Sequence, residues 1–287
     1  MTPRSHDRGE VRIALAQIAT CPAQLGHNLE RHLEMLDRAR AVGAQLVVFP
    51  ELSLSGYVVA HGVLEMAMRA DDPRLAPLFA ASREIALLVG LPLREPDGRI
   101  SNAALLLEGN ELRGVHRKLY LSAHGRFDER RWFMPGPRLQ PLECSLGRFG
   151  VLIGEDAWHL SSALHLAQAG AEALLIMAGT PTELDAGNTP AGGRRWQHLV
   201  ATTAITTVQP VLLADRCGWE EGILFGGCSG GVDALGRPLT TITSFFEEAL
   251  VTVSYSRADT VFARSLQPAP CLERLELGRS TLERGHA

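Results

Sequence analysis

Three apolar runs in this chain end in ionisable side chains. "LVVFP" runs into Glu51, "GVHR" into Lys118, and "VLIG" into Glu155 and Asp156, with Trp158 and His159 just beyond. Such runs read as buried strands. In open α/β sheets ligands collect at strand ends, because the loops converge there. A carboxylate and an ammonium brought together at that edge can serve as base and electrostatic stabiliser. Each alone is a weak signal, since a glutamate after a strand is usually just solvated. The third run turns at Gly154, which has no side chain where a reactive group would be best placed. Lys118 is the only lysine among 28 basic residues. Its compact ammonium is not interchangeable with a guanidinium fork in a tight pocket.

Around these corners, strands and helices alternate. "VRIALAQIA" (11–19) reads as a first strand, and Asn28 can cap a helix carrying Leu29, Leu33, Leu36 and Val42. "LVVF" fits a strand covered on both faces. A helix over about 73–84 leads into "IALLVGLPL", and two extended runs follow with a turn at Gly109–Asn110. "RFGVLIG", a helix through Leu166, "ALLIMAG", a helix over about 192–208 and "PVLLAD" continue the pattern. "GNTPAGGRR" reads as a surface loop, because it lacks the lysine of a phosphate-binding loop. "FGGCSGGVDALGRPLTTI" reads as a hairpin turning at Gly236, followed by "ALVTVSY". The expectation is a layered α/β fold with mixed sheets.

A chain of 287 residues can form one large domain or two small ones. Without a linker or repeat it reads as one domain over 11–265, with loose tails at 1–10 and 266–287. The net charge of −4 argues against a nucleic-acid surface. No apolar run is long enough to span a bilayer, so no membrane partner is expected. The opening "MTPRSHDRGE" lacks the apolar stretch of a signal peptide. Cys21, Cys144, Cys217, Cys228 and Cys271 are odd in number and scattered, with no disulfide or metal spacing, which implies a reducing cytoplasm. Neither a dinucleotide fingerprint nor a P-loop is present. No cofactor and no metal are expected.

"LVVFPELSLSGY", "HRKLYL" with "FDERRWFMPG", and "GVLIGEDAWH", in that order, resemble the nitrilase, or carbon–nitrogen hydrolase, superfamily. The likeness runs from "ALAQI" through the F-x-G-x-S pattern at Phe225–Ser229 to "FFEEALVTV". It is strongest toward amidases and the glutaminase part of glutamine-dependent NAD synthetases. The resemblance implies a four-layer αββα sandwich with two mixed sheets and a Glu–Lys–Cys triad. Glu51 falls on the general base, Lys118 on the oxyanion-stabilising lysine and Glu129 on a second glutamate that positions substrate and lysine. The nucleophilic cysteine falls on Gly154. The Glu155 N–H would be an oxyanion donor, and Tyr57 and Trp158 would sit near the pocket. A homodimer and a small amide or carboxylate ligand are implied.

Glycine cannot form an acyl-enzyme. A second departure lies in "ATTAITTVQPVLL", where Thr203, Thr206 and Thr207 stand in place of the family's Arg…Glu-Asn pattern. Three readings follow: a non-catalytic homologue that retains a small-molecule pocket or binds a protein partner, an active amide hydrolase whose nucleophile has been replaced, or hydrolysis by a water that Glu51 activates. Lys118 is compatible with retained ligand binding. It is equally compatible with a structural role, neutralising Glu51 and Glu129 if these are buried. Cys228 reads as a small packing residue rather than a substitute nucleophile.

Overall fold

The structure, a computed structural model, describes residues 9–57, 62–123, 128–184, 190–240, 245–268, 270 and 274. Residues 1–8, Cys271 and most of the tail expected at 266–287 lie outside the described residues.

Alternation along the strands sorts side chains into layers. In β1 (Glu10–Gln17), Ile13 and Leu15 face one way and Ala14 and Ala16 the other. β1 pairs in parallel with β2 (Leu46–Val48), and β2 with β3 (Ala86–Arg94). β4 (Ile100–Glu108) and β5 (Glu111–Arg117) continue antiparallel on one side. β13 (Ala249–Ser256) closes the other edge against β1. This six-stranded sheet has the order β13-β1-β2-β3-β4-β5. A second sheet has the order β12-β9-β8-β7-β6. It is built from β6 (Leu142–Cys144), β7 (Gly147–Ile153), β8 (Ala173–Ala178), β9 (Val211–Asp215) and β12 (Gly230–Val232), with β7, β8 and β9 parallel. β10 (Cys217–Glu220) and β11 (Ile223–Gly226) form a separate ribbon.

Both sheets are therefore mixed, and the inner face of each packs against the other. Ile13, Leu15, Val48 and Leu88 meet Val151, Ile153, Leu175 and Met177 in one core. The outer face of the first sheet packs on α1 (Leu25–Ala41) and α3 (Ala76–Ala81) through Met35, Leu36 and Leu78. The outer face of the second packs on α4 (Leu160–Gln168) and α5 (Ala191–Thr207) through Leu166, Trp196, Val200 and Ala204. Each such fully buried aliphatic contributes about 1.5–3 kcal/mol. Short α2 (Val63–Met66) and α6 (Arg257–Leu266) complete the α-helices among the described residues. This is the expected αββα arrangement.

Several local expectations need correction. Gln24, not Asn28, stands at the cap of α1. Asn28 is buried one turn in, where its amide bonds both backbone groups of Cys21 and the carbonyl of Leu54. The helix expected over 73–84 is a 3-10 turn (Pro73–Leu75) followed by the shorter α3. In "GNTPAGGRR", Ala191–Arg195 opens α5 rather than lying in a loop. The hairpin at Gly236 is reduced to a bridge between Val232 and Pro238, because Phe225 and Gly226 pair instead with Cys217 and Gly218.

Candidate active site

Glu51 stands two residues past Phe49, in a turn packed tightly on β3. A Cβ on Gly90 would lie 2.6 Å from the Leu52 nitrogen and 2.7 Å from the Pro50 carbonyl, so only glycine lets the turn approach. Two further supports fix this turn. His32 of α1 stacks on Phe49 and bonds Ser53 Oγ at 2.9 Å through Nε2. Burial lowers the His32 pKa to about 4, so the ring is neutral at physiological pH. From the second sheet, Arg216 Nη2 donates to the carbonyls of Glu51 and Leu52, both at 3.2 Å. Leu52 itself is held at φ +49°.

Lys118 follows β5, and its backbone N–H donates to the Asn102 carbonyl of β4. Its Nζ lies 2.7 Å from Glu51 Oε1 and 2.8 Å from Glu129 Oε2. Glu129 sits in a 3-10 turn and accepts from the Ser122 N–H at 2.7 Å. Asn102 Nδ2 bridges the two carboxylates, 2.8 Å from Glu51 Oε1 and 3.2 Å from Glu129 Oε1. The Tyr57 hydroxyl donates to Glu129 Oε1 at 3.1 Å. Lys118, Glu51 and Glu129 are 1%, 2% and 4% exposed, so their charges are compensated within the cage or not at all.

Two carboxylates and one ammonium leave the cage short of positive charge. Burial, reinforced by Glu129 and opposed by Lys118, pushes Glu51 up to about 7. Burial works against the Lys118 cation, but the two carboxylates outweigh it and raise its pKa. Burial beside the same carboxylates pushes the Tyr57 phenol well above its usual value. At neutral pH, Glu51 is thus the group in the cage poised to gain or lose a proton.

Gly154 closes β7 and opens a 3-10 turn, Gly154–Trp158. Asp156 locks that turn to the Lys118 strand. Its Oδ1 accepts from the Leu119 and Tyr120 N–H groups, both at 2.9 Å, and its Oδ2 from His116 Nε2 at 3.0 Å. Gly154 has φ +49° and is partly exposed. A Cβ there would stand 2.6 Å from Glu51 Oε2 and 3.0 Å from Lys118 Nζ. The corner without a side chain thus abuts the charged cage, at its solvent-reached side. A cavity of about 680 Å³ is lined by the sequence neighbours of the cage residues, among them Leu119, Tyr120, Arg130 and Glu155.

The structure therefore brings Glu51, Lys118, Glu129, Tyr57 and Gly154 together. Glu155 is partly exposed, with its carboxylate 3.9 Å from His159. Trp158 is 44% exposed and sets its ring edge against Trp196, with no described hydrogen bond to the cage. Asn102 and Arg216 are the residues that sequence reasoning missed. The available signal was a polar side chain inside "ISNAALLL" and a charged pair closing "VLLADR". Cys228 does more than pack: its thiol donates to Asp215 Oδ2 at 2.9 Å. Burial beside that carboxylate pushes the thiol well above its usual value, so it stays protonated. No group of three or more His, Cys, Asp or Glu side chains placed to hold a metal occurs among the described residues.

Residues 12–265 match the carbon-nitrogen hydrolase family. The chain is 33% identical over 253 residues to a glutamine-dependent NAD(+) synthetase of Rhodobacter capsulatus, covering 86% of this chain and 44% of that protein. It spans about half, or less, of the NAD(+) synthetases it matches. An (R)-stereoselective amidase of Pseudomonas sp. is 28% identical, with 80% of each chain covered. Among solved structures, an amidase of Nesterenkonia sp. AN1 superposes with a TM-score of 0.80 at 25% identity, covering 97% of each chain. Sequence and fold agree that this chain belongs to the carbon–nitrogen hydrolase family.

Proposed function

We propose that this chain is an amidase-type homologue that binds a small amide or carboxylate at the Glu51–Lys118–Glu129 cage and lacks the thiol route to amide hydrolysis. The observation that carries the reading is an assembled cage around a bare Gly154. In a glutamate-to-glutamine mutant of the Nesterenkonia amidase, the active-site cysteine carries the acetamide moiety of fluoroacetamide. Here Lys118 supplies a fixed positive charge for a carbonyl oxygen, with the Glu155 N–H as its partner. Glu51 accepts a proton or hydrogen bond, and Glu129 with Asn102 keeps the ammonium aimed. Without a thiol at residue 154, a bound amide waits for an attack that glycine cannot make.

The test is a turnover assay of this chain and its Gly154→Cys variant on a panel of small amides including glutamine. Hydrolysis by the variant alone supports the reading, and the amide consumed names the ligand class. Amide turnover by the unsubstituted chain overturns it. The same reading places the chain in the cytoplasm as a homodimer, which cell fractionation and sedimentation check.

A further inference from the structure

Glu51 is held asymmetrically. Its Oε1 accepts from Lys118 at 2.7 Å and from Asn102 at 2.8 Å. The described hydrogen bonds of Glu51 all fall on Oε1 and leave Oε2 without a described donor. This second oxygen lies 2.6 Å from the point where a Cβ of residue 154 would stand, with Lys118 Nζ 3.0 Å from the same point. The space from which a side chain on residue 154 would emerge is filled by a carboxylate oxygen, beside a cation and facing a partly exposed glycine.

We propose that Glu51 is itself a nucleophile in this chain, and that it accepts acyl groups from activated donors, thioesters and aryl esters, rather than from amides. The inference rests on the proposed reading that the cage still receives an acyl compound. Oε2 attacks the acyl carbon, and the carbonyl π pair moves onto oxygen near Lys118 Nζ. Collapse breaks the carbon–sulfur bond, expels thiolate and leaves a mixed anhydride, Glu51–CO–O–CO–R. Water then splits the anhydride into the Glu51 carboxylate and the free acid. One of the two protons released goes to the thiolate and the other to solvent by way of Glu129. The sum is thioester plus water giving carboxylate, thiol and one proton.

Leaving-group chemistry selects the donor. The tetrahedral adduct expels its better leaving group. A carboxylate of ordinary or modestly raised pKa leaves far ahead of an amide nitrogen, whereas a thiolate of conjugate acid near ~8.5 competes with it. An amide would need its nitrogen protonated first. Lys118, pinned between two carboxylates, is a reluctant proton donor. An amide therefore binds without reacting, and a thioester reacts.

The experiment incubates the full chain with the acetyl thioester of N-acetylcysteamine, quenches in acid and maps adducts by mass spectrometry. A parallel run in heavy-oxygen water follows the label. The expected result is an acetyl adduct or heavy oxygen on the Glu51 peptide, with turnover falling ~10³-fold in Glu51→Gln. Gly154→Ala, whose methyl displaces Oε2, is expected to lose the adduct as well while keeping a cooperative melt, which guards against misfolding of the glutamine variant. Thioester turnover that leaves no acetyl adduct on Glu51 in the acid quench, and no Glu51 hydroxamate when hydroxylamine is present to trap the anhydride, overturns the proposal in favour of water attack. No thioester turnover also overturns it. A titration of the unsubstituted chain with acetamide, followed by NMR, separates the two levels. Binding without thioester chemistry sinks only this inference, whereas no binding removes the ligand reading beneath it.

Discussion

Two strand ends of the second sheet carry the chemistry one would look for, in opposite ways. Beside the last residue of β9, Cys228 has a thiol, but it is sealed and bonded to the Asp215 carboxylate. At the end of β7, Gly154 has no side chain, but it is partly open and faces both a base and an ammonium. Thiolate reactivity requires a nearby cation and access. Cys228 has a carboxylate for its neighbour and no solvent. The comparison teaches that nucleophilic competence belongs to the corner, not to the residue type.

The strongest way to break that comparison is to give the open corner a thiol. Gly154→Cys should react with iodoacetamide at pH 7 about 10³ times faster at residue 154 than at Cys228, as read by peptide mapping. The variant should also be less stable by ~1–2 kcal/mol, because φ +49° is a left-handed conformation that a side chain resists. Glu51 can give way, since the colliding atom is the end of a flexible side chain. If Cys228 labels first, the corner is not what sets reactivity.

Removing the cation is next in size. Lys118→Met leaves Glu51 and Glu129 buried without their shared partner, and should cost about 3–5 kcal/mol in urea unfolding. A loss below ~1 kcal/mol would mean that Lys118 is kept for a ligand rather than for the fold.

The cage was legible where three ionisable residues each end an apolar run, a signal weak at any one of them and carried by their order and surroundings. Glu51, Lys118 and the Gly154 corner came from that signal, and Glu129 from the family motif. Asn102 was marked only as a polar side chain inside an apolar run. It lies within β4, paired across the ladder with Pro92, and nothing local marks its bond to a glutamate 51 positions away. Arg216 reaches the Glu51 loop from the other sheet, 165 residues on, so its role exists only in the folded packing. Strands alternating with helices made a layered α/β fold readable, and the family resemblance supplied the four αββα layers. The β10–β11 ribbon was not, because its strands are four residues each, too short to show a period around the turn at Glu221–Gly222. Trp158, at the end of the 3-10 turn, is exposed on one side and packs on the buried Trp196 on the other.

A pH titration sharpens the contrast between the two corners. Burial raises Glu51 from 4.5 to about 7, so over that interval the folded protein keeps a proton that the unfolded chain has released. That contribution to stability is fully present below the unfolded value and is lost as pH rises through about 7. Thermal melts should therefore fall across this window, and Glu51→Gln should flatten the part nearest neutrality. An unchanged slope in that variant would place the proton elsewhere.

The smallest effect belongs to the sealed thiol. Asp215 is raised by burial from 3.8 to about 6, and the Cys228 thiol, with the Thr180 and Arg216 N–H groups, holds the shift down. Cys228→Ala removes one of those donors, so the carboxylate should titrate higher still. Below about pH 3, where Asp215 is mostly protonated in folded and unfolded chains alike, the loss of its charged-form hydrogen bond should scarcely register. Above about pH 6 it should cost ~1–2 kcal/mol, because the ionised oxygen is left in a buried site with one partner fewer. Cys228→Ser restores a donor of similar reach and should recover most of that loss. Urea melts of the two variants at both pH values read the difference. A penalty for alanine that is independent of pH would mean that Cys228 serves the packing against α5 alone and that Asp215 does not depend on it.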